Sequence, residues 1–273
     1  MRTVIDDSEE IEFIIAFIYE RSRIRLHDGK EALIRARLGK RMRLLGIGTL
    51  REYCAYIRSA EGQDEVQSAI DALTTNYTHF LREESHFQFL VKTALPALLT
   101  RGQRRFKVWS AACATGEEPY TIGMYLAEHF PLAEGWDWRV VASDISTKAL
   151  AVAQQGVYAE ERIRQVPDAW LRRHFQLGHG RWEGHYRVKA SLAGRIEFRQ
   201  LNLLEPYEHG DPFEIAFCRN VMIYFDRPTQ EQLVTRLARF LVPRGYLLIG
   251  HSESLNGLDV PVHCLRPSIY QKK

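Results

Sequence analysis

Residues 106–120 read Phe106-Lys107-Val108-Trp109-Ser110-Ala111-Ala112-Cys113-Ala114-Thr115-Gly116-Glu117-Glu118-Pro119-Tyr120. A short β-rich run gives way to a string of small side chains, and a helical pattern begins at once behind it. In an open α/β sheet, ligands sit beyond the carboxyl ends of the strands. Small residues at such an end let the backbone approach a ligand closely. The turn lacks the GxGxxG spacing, so it is a poor cradle for a pyrophosphate.

Working outward, residues 139–143, 196–201, 213–217 and 246–250 are further strand candidates. Residues 119–130 and 229–241 carry helical patterns, the second with Leu233, Leu237 and Phe240 on one side. Strands alternating with helices predict a mostly parallel sheet covered on both faces. Residues 182–188 read as an extra hairpin strand inserted between Asp144 and Ile196. Other strand ends carry Ser143-Asp144-Ile145, Asn202-Leu203 and Cys218-Arg219-Asn220-Val221. An acidic residue at the second strand end suits a ribose diol. Taken singly, Asp144, Asn202 and Asn220 read as cap or turn residues. Together they outline a pocket for a nucleoside without a pyrophosphate.

The N-terminal part, residues 1–75, reads as helices only. Asp7 and Glu10 have capping spacing ahead of a stripe of Ile11, Ile14, Ile15 and Ile18. A second helix spans about 30–45 and stops at Gly46, with Ile34, Leu38, Met42 and Leu45 on a narrow apolar face. Lys30, Arg35, Arg37, Lys40, Arg41 and Arg43 fill its remaining arc. Thr49 and Glu52 form a capping box for a third helix carrying Tyr53, Tyr56 and Ile57, and a fourth covers 65–73.

The chain has 273 residues, 45% hydrophobic and 26% charged, with a formal net charge of +3, an ordinary soluble composition with no general nucleic-acid signature. No apolar run approaches the roughly 20 residues that span a bilayer. The acidic start (Asp6, Asp7, Glu9, Glu10) is unlike a secretory signal, so the expected location is the cytoplasm, without membrane insertion. Cys54, Cys113, Cys218 and Cys264 lie far apart, which reads as reduced thiols rather than a disulfide framework. The ten histidines show no HExxH-like spacing, and no metal is expected.

Five stretches resemble the chemotaxis receptor methyltransferases, the CheR family. They are Thr74-Thr75-Asn76-Tyr77-Thr78-His79-Phe80-Leu81-Arg82-Glu83, residues 109–120 quoted above, Ala142-Ser143-Asp144-Ile145, Phe217-Cys218-Arg219-Asn220-Val221-Met222-Ile223-Tyr224-Phe225, and Gly250-His251-Ser252-Glu253-Ser254. They follow the family's order and spacing, and the similarity runs over nearly the whole chain. Cys113, Ala114 and Leu81 depart modestly from the family's usual residues and leave the assignment intact.

The resemblance implies a class I methyltransferase, a Rossmann-like α/β fold with a small β insertion, preceded by an all-helical domain. The implied divisions are a helical domain at 1–75, a linker at 76–90 that contributes to the active site, and a methyltransferase domain at 91–273 with its β subdomain at about 176–195. The implied cofactor is S-adenosyl-L-methionine, leaving S-adenosyl-L-homocysteine as product, with contacts at Asn76, Thr78, Arg82, Glu117, Asp144, Asn202, Leu203, Asn220 and Val221. The implied reaction is methyl esterification of glutamate side chains on cytoplasmic helical domains of methyl-accepting chemoreceptors. Arg82 orients the acceptor carboxylate, by the family motif and the planar fork of a guanidinium, with Tyr224 as a second positioning group. Arg35, Arg37, Lys40, Arg41 and Arg43 are the candidates for docking an acidic receptor surface. In some family members the β subdomain grips a C-terminal receptor tail by strand addition, and Trp182 and Tyr186 offer such an edge here. The expected oligomeric state is a monomer, with no nucleic-acid partner. Two rivals remain at this point: an RNA methyltransferase, from the basic second helix and the arginines at 101–105, and a non-catalytic module that only binds the cofactor.

Overall fold

The computed structural model describes residues 7–26, 29–99, 102–207 and 210–273. Asp6 and Arg101 lie outside the described residues. Contacts group the chain into two compact units, Met1–Thr75 with Tyr224–Asp226, and Asn76–Ile223 with Arg227–Lys273.

The first unit is built from α1 (Ser8–Ser22), α2 (Glu31–Leu45), α3 (Leu50–Arg58) and α4 (Gln63–Leu73). Its core holds Ile14, Ile34, Leu38, Tyr53 and Ile57. The capping box of α3 is complete: Glu52 N–H donates to Thr49 Oγ1 at 3.2 Å, and Thr49 N–H donates to Glu52 Oε2 at 3.0 Å. Such a cap contributes about 0.5–2 kcal/mol. Gly46 ends α2 at φ +70°, the left-handed position that favours glycine.

Local patterns mislead in three places. Asp7 is the N-cap residue of α1 but makes no side-chain cap bond; its carboxylate pairs with Arg35 instead. The buried face of α1 is Ile11, Ile14, Phe17, Ile18 and Ser22, so Phe17 takes the place that the stripe assigns to Ile15. On α2, Leu45 is exposed and Met42 only half-buried, so the apolar face ends at Leu38.

The second unit carries a seven-stranded sheet in the order β6-β2-β1-β7-β8-β10-β9. Its strands are β1 (Arg105–Ser110), β2 (Asp137–Asp144), β6 (Ile196–Gln200), β7 (Phe213–Cys218), β8 (Leu241–Ile249), β9 (Val262–Arg266) and β10 (Ile269–Lys272). The pairs from β6 through β8 are parallel, and β10 is antiparallel to both β8 and β9. All of β7 is buried, as a central parallel strand should be; Glu214 alone interrupts its apolar run, and its carboxylate accepts Lys107 N–H at 2.7 Å. Helices Glu117–His129 and Thr147–Gln155 follow β1 and β2, and helix Arg227–Arg239 precedes β8. The core includes Val108, Ile122, Leu126, Val140, Ile215, Phe217 and Leu248.

A second, three-stranded sheet has the order β3-β5-β4, from Val157–Ala159, His185–Val188 and Phe175–Leu177. The strand inserted before Ile196 is therefore shorter than 182–188; Trp182 sits in a 3-10 turn. Its partner β3 comes from far upstream in the chain, a pairing that a three-residue strand cannot announce by periodicity.

Gly116 lies between β1 and its helix at φ +97°. A Cβ there would meet Ala153 Cβ and the Tyr158 hydroxyl, each at 2.8 Å. Gly116→Ala combines a left-handed backbone with overpacking, and a loss of about 2–4 kcal/mol is expected. Denaturant midpoints would check it; an unchanged midpoint would mean the turn can relax freely.

Candidate active site

The four strands whose ends carry polar or small candidates are neighbours in the sheet, β6-β2-β1-β7. Parallel strands point their carboxyl ends the same way, so these ends converge along one edge. Backbone bonds tie adjacent tips: Leu201 N–H to Asp144 O at 2.9 Å, Cys113 N–H to Ser143 O at 2.9 Å, and Ala111 N–H to Phe217 O at 2.7 Å.

At the β2 tip, the buried Asp144 carboxylate accepts Ala114 N–H at 2.8 Å through Oδ2 and Ser146 N–H at 2.9 Å through Oδ1. Ala114 itself has φ +46°, a strained conformation for alanine that aims its N–H at Asp144. Asn76 reaches the same place, its Nδ2 donating to Ser146 Oγ at 3.4 Å. Thr78 is half-buried in the same segment.

Glu117, the first helical residue after the β1 turn, is fully buried. Its Oε2 accepts the Thr115 hydroxyl at 2.7 Å. Its Oε1 is paired with the Arg162 guanidinium. Burial pushes this carboxyl above its ordinary value, with Thr115 and Arg162 opposing. A buried carboxylate oxygen with unused acceptor capacity is a place for a cationic or hydroxyl-bearing ligand group.

Beyond β6, Asn202 turns into its own loop, accepting Leu204 N–H at 3.1 Å and donating to Glu205 at 3.0 Å, and Leu203 is buried. Beyond β7, Asn220 takes φ +57° and donates its N–H to Glu253 Oε2 at 2.9 Å, with Val221 half-buried next to it. Glu253 also accepts Gly250 N–H at 2.6 Å and Met222 N–H at 2.8 Å, so one buried carboxylate shapes this whole tip. Burial raises its pKa against these donors.

Arg82 is half-buried and donates to the Tyr77 carbonyl at 3.0 Å, with its guanidinium 5.9 Å from the Tyr77 ring centre. It forms no ion pair among the described residues. The cation that pairs with the neighbouring acids is Arg219. Its side chain, 1% exposed, lies 3.0 Å from Glu83 Oε2 and 2.9 Å from Glu118 Oε2, and it donates to the Arg82 carbonyl. Glu118 further accepts the Ser110 hydroxyl at 2.7 Å. Burial raises the Glu83 carboxyl, but Arg219 outweighs it and the group is held below its usual range. For Glu118, burial wins and the shift is upward.

Tyr224 closes the 3-10 turn Met222–Tyr224, groups by contact with the helical unit, and accepts Arg25 N–H at 2.9 Å through its carbonyl. On α2, Arg41 makes a two-pronged pair with Glu65 at 2.9 and 2.6 Å, and Arg37 donates to the Leu73 and Thr74 carbonyls at the end of α4. These cations, with Arg35 on Asp7, hold the helical unit together; Lys40 and Arg43 are exposed. Sequence reasoning missed Arg219, Glu118 and Glu253 as organisers. The one visible signal was a charged Arg219 directly behind an apolar strand.

Two family descriptions match the chain: "CheR methyltransferase, all-alpha domain" over residues 9–74 and "CheR methyltransferase, SAM binding domain" over residues 76–269. Curated relatives include the chemotaxis protein methyltransferase of Salmonella typhimurium, 42% identical over 90% of this chain and 83% of that one. The chemotaxis protein methyltransferase of Escherichia coli is 41% identical over 90% and 84%. Chemotaxis protein methyltransferase 2 of Pseudomonas aeruginosa is 40% identical over 96% and 92%.

Proposed function

The chain belongs to the CheR methyltransferase family, and we propose that it esterifies glutamate side chains on the helical signalling domains of chemoreceptors. It is an S-adenosylmethionine-dependent methyltransferase. The observation that carries the reading is the pair of buried carboxylates, Asp144 and Glu117, at adjacent strand ends without a phosphate-binding glycine loop. Glu117 is fully buried with only Arg162 and the Thr115 hydroxyl on its carboxylate, which leaves acceptor capacity for a donor or cation from a nucleoside ligand. In this reading Asp144 takes hydroxyls, Glu117 the cationic end, and Asn76, Thr78, Asn202, Leu203, Asn220 and Val221 the rim.

Bound S-adenosylmethionine supplies an activated methyl group. The chain's own task is to orient the acceptor. A glutamate carboxylate, with a reference pKa of about 4.3, is ionised at neutral pH, so no general base is needed. Good alignment can contribute roughly 7–11 kcal/mol. Arg82 has guanidinium donors to offer a carboxylate without first breaking an ion pair, and Tyr224 is the second positioning group. Pairing that is too strong before reaction would add nothing to the rate. A helical domain at 1–75 and a linker at 76–90 that feeds the site remain the working divisions.

Receptor docking falls to Lys40 and Arg43, because Arg35, Arg37 and Arg41 are held within the helical unit. Reversing both charges is expected to raise the receptor KM about ten-fold and flatten its salt dependence while kcat holds. An unchanged KM would leave α2 a structural role. Strand β4 is an edge of the small sheet, with Leu177 and Trp182 each 48% exposed, and suits strand addition by a receptor tail. The same reading makes the protein a cytoplasmic monomer; among the described residues no helix is long and apolar enough to cross a membrane.

Two of the arginines behind the RNA rival have partners of their own. Arg105 pairs with Asp137 at 3.0 Å, and Arg104 packs 4.4 Å over the Trp136 ring. One assay separates the readings: labelled methyl transfer from S-adenosylmethionine into receptor signalling domains. A base-labile methyl ester is expected. Label entering RNA, or cofactor binding without any turnover, would overturn the proposal.

A further inference from the structure

His86 is buried in the methyltransferase unit, and its Nε2 lies 2.8 Å from Ser268 Oγ. Ser268 already donates its hydroxyl proton to the Pro267 carbonyl at 2.6 Å. A hydroxyl has one proton, so in the pair with Ser268 it is His86 Nε2 that donates. Nδ1 therefore carries a lone pair. That atom is buried, has no hydrogen-bond partner, and faces Glu83 Oε2 at 3.5 Å. Two acceptors facing each other repel, and although Arg219, 3.0 Å from the same Oε2, balances the carboxylate charge, it gives Nδ1 no donor.

A third ligand atom faces the same spot. His251 Nε2 is 4.0 Å from Glu83 Oε2, and the two imidazoles meet edge to face with centres 4.7 Å apart. One atom from each of Glu83, His86 and His251 lies within 4.8 Å of the other two. Tetrahedral zinc with ligands at about 2.0–2.1 Å needs ligand atoms on the order of 3.4 Å apart. The side chain of His251, 52% exposed, can close the difference by a small rotation, since among the described residues its other side-chain bond is a long one of 3.4 Å to Ser85 Oγ.

We propose that Glu83, His86 and His251 form a binding site for a divalent transition-metal ion of the zinc type. Two imidazoles and one carboxylate are a zinc donor set that leaves a fourth position for water. Ser268 fills the outer role such sites need, fixing the tautomer of the ligating histidine. Arg219 already donates to the same Glu83 oxygen, so the ion shares that carboxylate with a cation and binds more weakly than it would to an unshared one. Glu83 and His86 are three residues apart, but His251 lies 168 residues from Glu83, so no spacing pattern in the chain advertises the set.

The test uses the full-length, tag-free chain with Zn2+ alone by calorimetry, and Co2+ alone by visible absorption. The wild type should bind one ion per chain, with ligand-field bands for Co2+. His251→Ala should weaken binding at least ten-fold. Ser268→Ala, which removes only the outer partner, should weaken it about 10–100-fold, while the metal-free thermal midpoint drops by only the few degrees that one unpaired buried donor costs. Absence of saturable binding by the wild type would overturn the site, as would wild-type affinity in either variant. Methyl transfer plays no part in these readouts, so they stand apart from the catalytic reading.

Discussion

Arg82→Ala is expected to lower kcat for methyl transfer by about two to three orders of magnitude, the scale seen when one oriented donor is removed from an active site. The fold should scarcely notice. Arg82 is half-buried, and its recorded side-chain hydrogen bond goes to the Tyr77 carbonyl. A single such bond is worth about 1 kcal/mol, so the thermal midpoint should fall by only a few degrees. Arg82→Lys keeps the charge but not the planar fork, and should fall between wild type and alanine. Steady-state kinetics beside a thermal melt checks both halves. Normal turnover in Arg82→Ala would remove this residue from the mechanism.

Arg219→Met should do the opposite and strike stability first. The guanidinium is buried between Glu83 and Glu118, and its removal strands two shielded carboxylates. Breaking a buried pair from one side costs about 3–5 kcal/mol. At about 2–4 °C per kcal/mol for a unit of this size, the melting midpoint should drop by roughly 6–20 °C. Turnover should fall as well, because Arg219 also holds the Arg82 carbonyl and so fixes the segment that carries Arg82. Neutralising the acids in the triple variant Arg219→Met, Glu83→Gln, Glu118→Gln should restore much of the midpoint without restoring turnover. Full recovery of both would reduce Arg219 to a stabilising residue with no hold on the site.

The contrast between these two arginines marks what a linear chain reveals. The strand-turn-helix at 106–120 and the alternation behind it lead directly to the parallel sheet, because a period of two or of 3.6 is written in neighbouring residues. Gly46 and the Thr49–Glu52 box are equally legible, since their partners lie within a few positions. Arg219 bonds to Glu83 and Glu118, more than a hundred residues away, and leaves no periodic trace. The basic arc of α2 shows the reverse error. A helical wheel presents Arg37 and Arg41 as surface charges, but the bundle turns them toward the end of α4 and toward Glu65. Strands β3 and β4 are three residues each, too short for any pattern. Asp144, Glu117 and Asn220 were visible as polar residues at strand ends. That β6, β2, β1 and β7 stand side by side, so that those ends converge, is a property of topology alone.

Calorimetric titration of S-adenosylhomocysteine into the purified chain tests most directly whether the β6-β2-β1-β7 edge is a nucleoside site. One molecule should bind per chain with measurable heat, and Asp144→Ala and Glu117→Gln should each weaken that binding at least ten-fold, as expected when a hydrogen-bonding carboxylate facing a ligand is lost. No heat from a folded wild-type chain, or wild-type affinity in both variants, would contradict it.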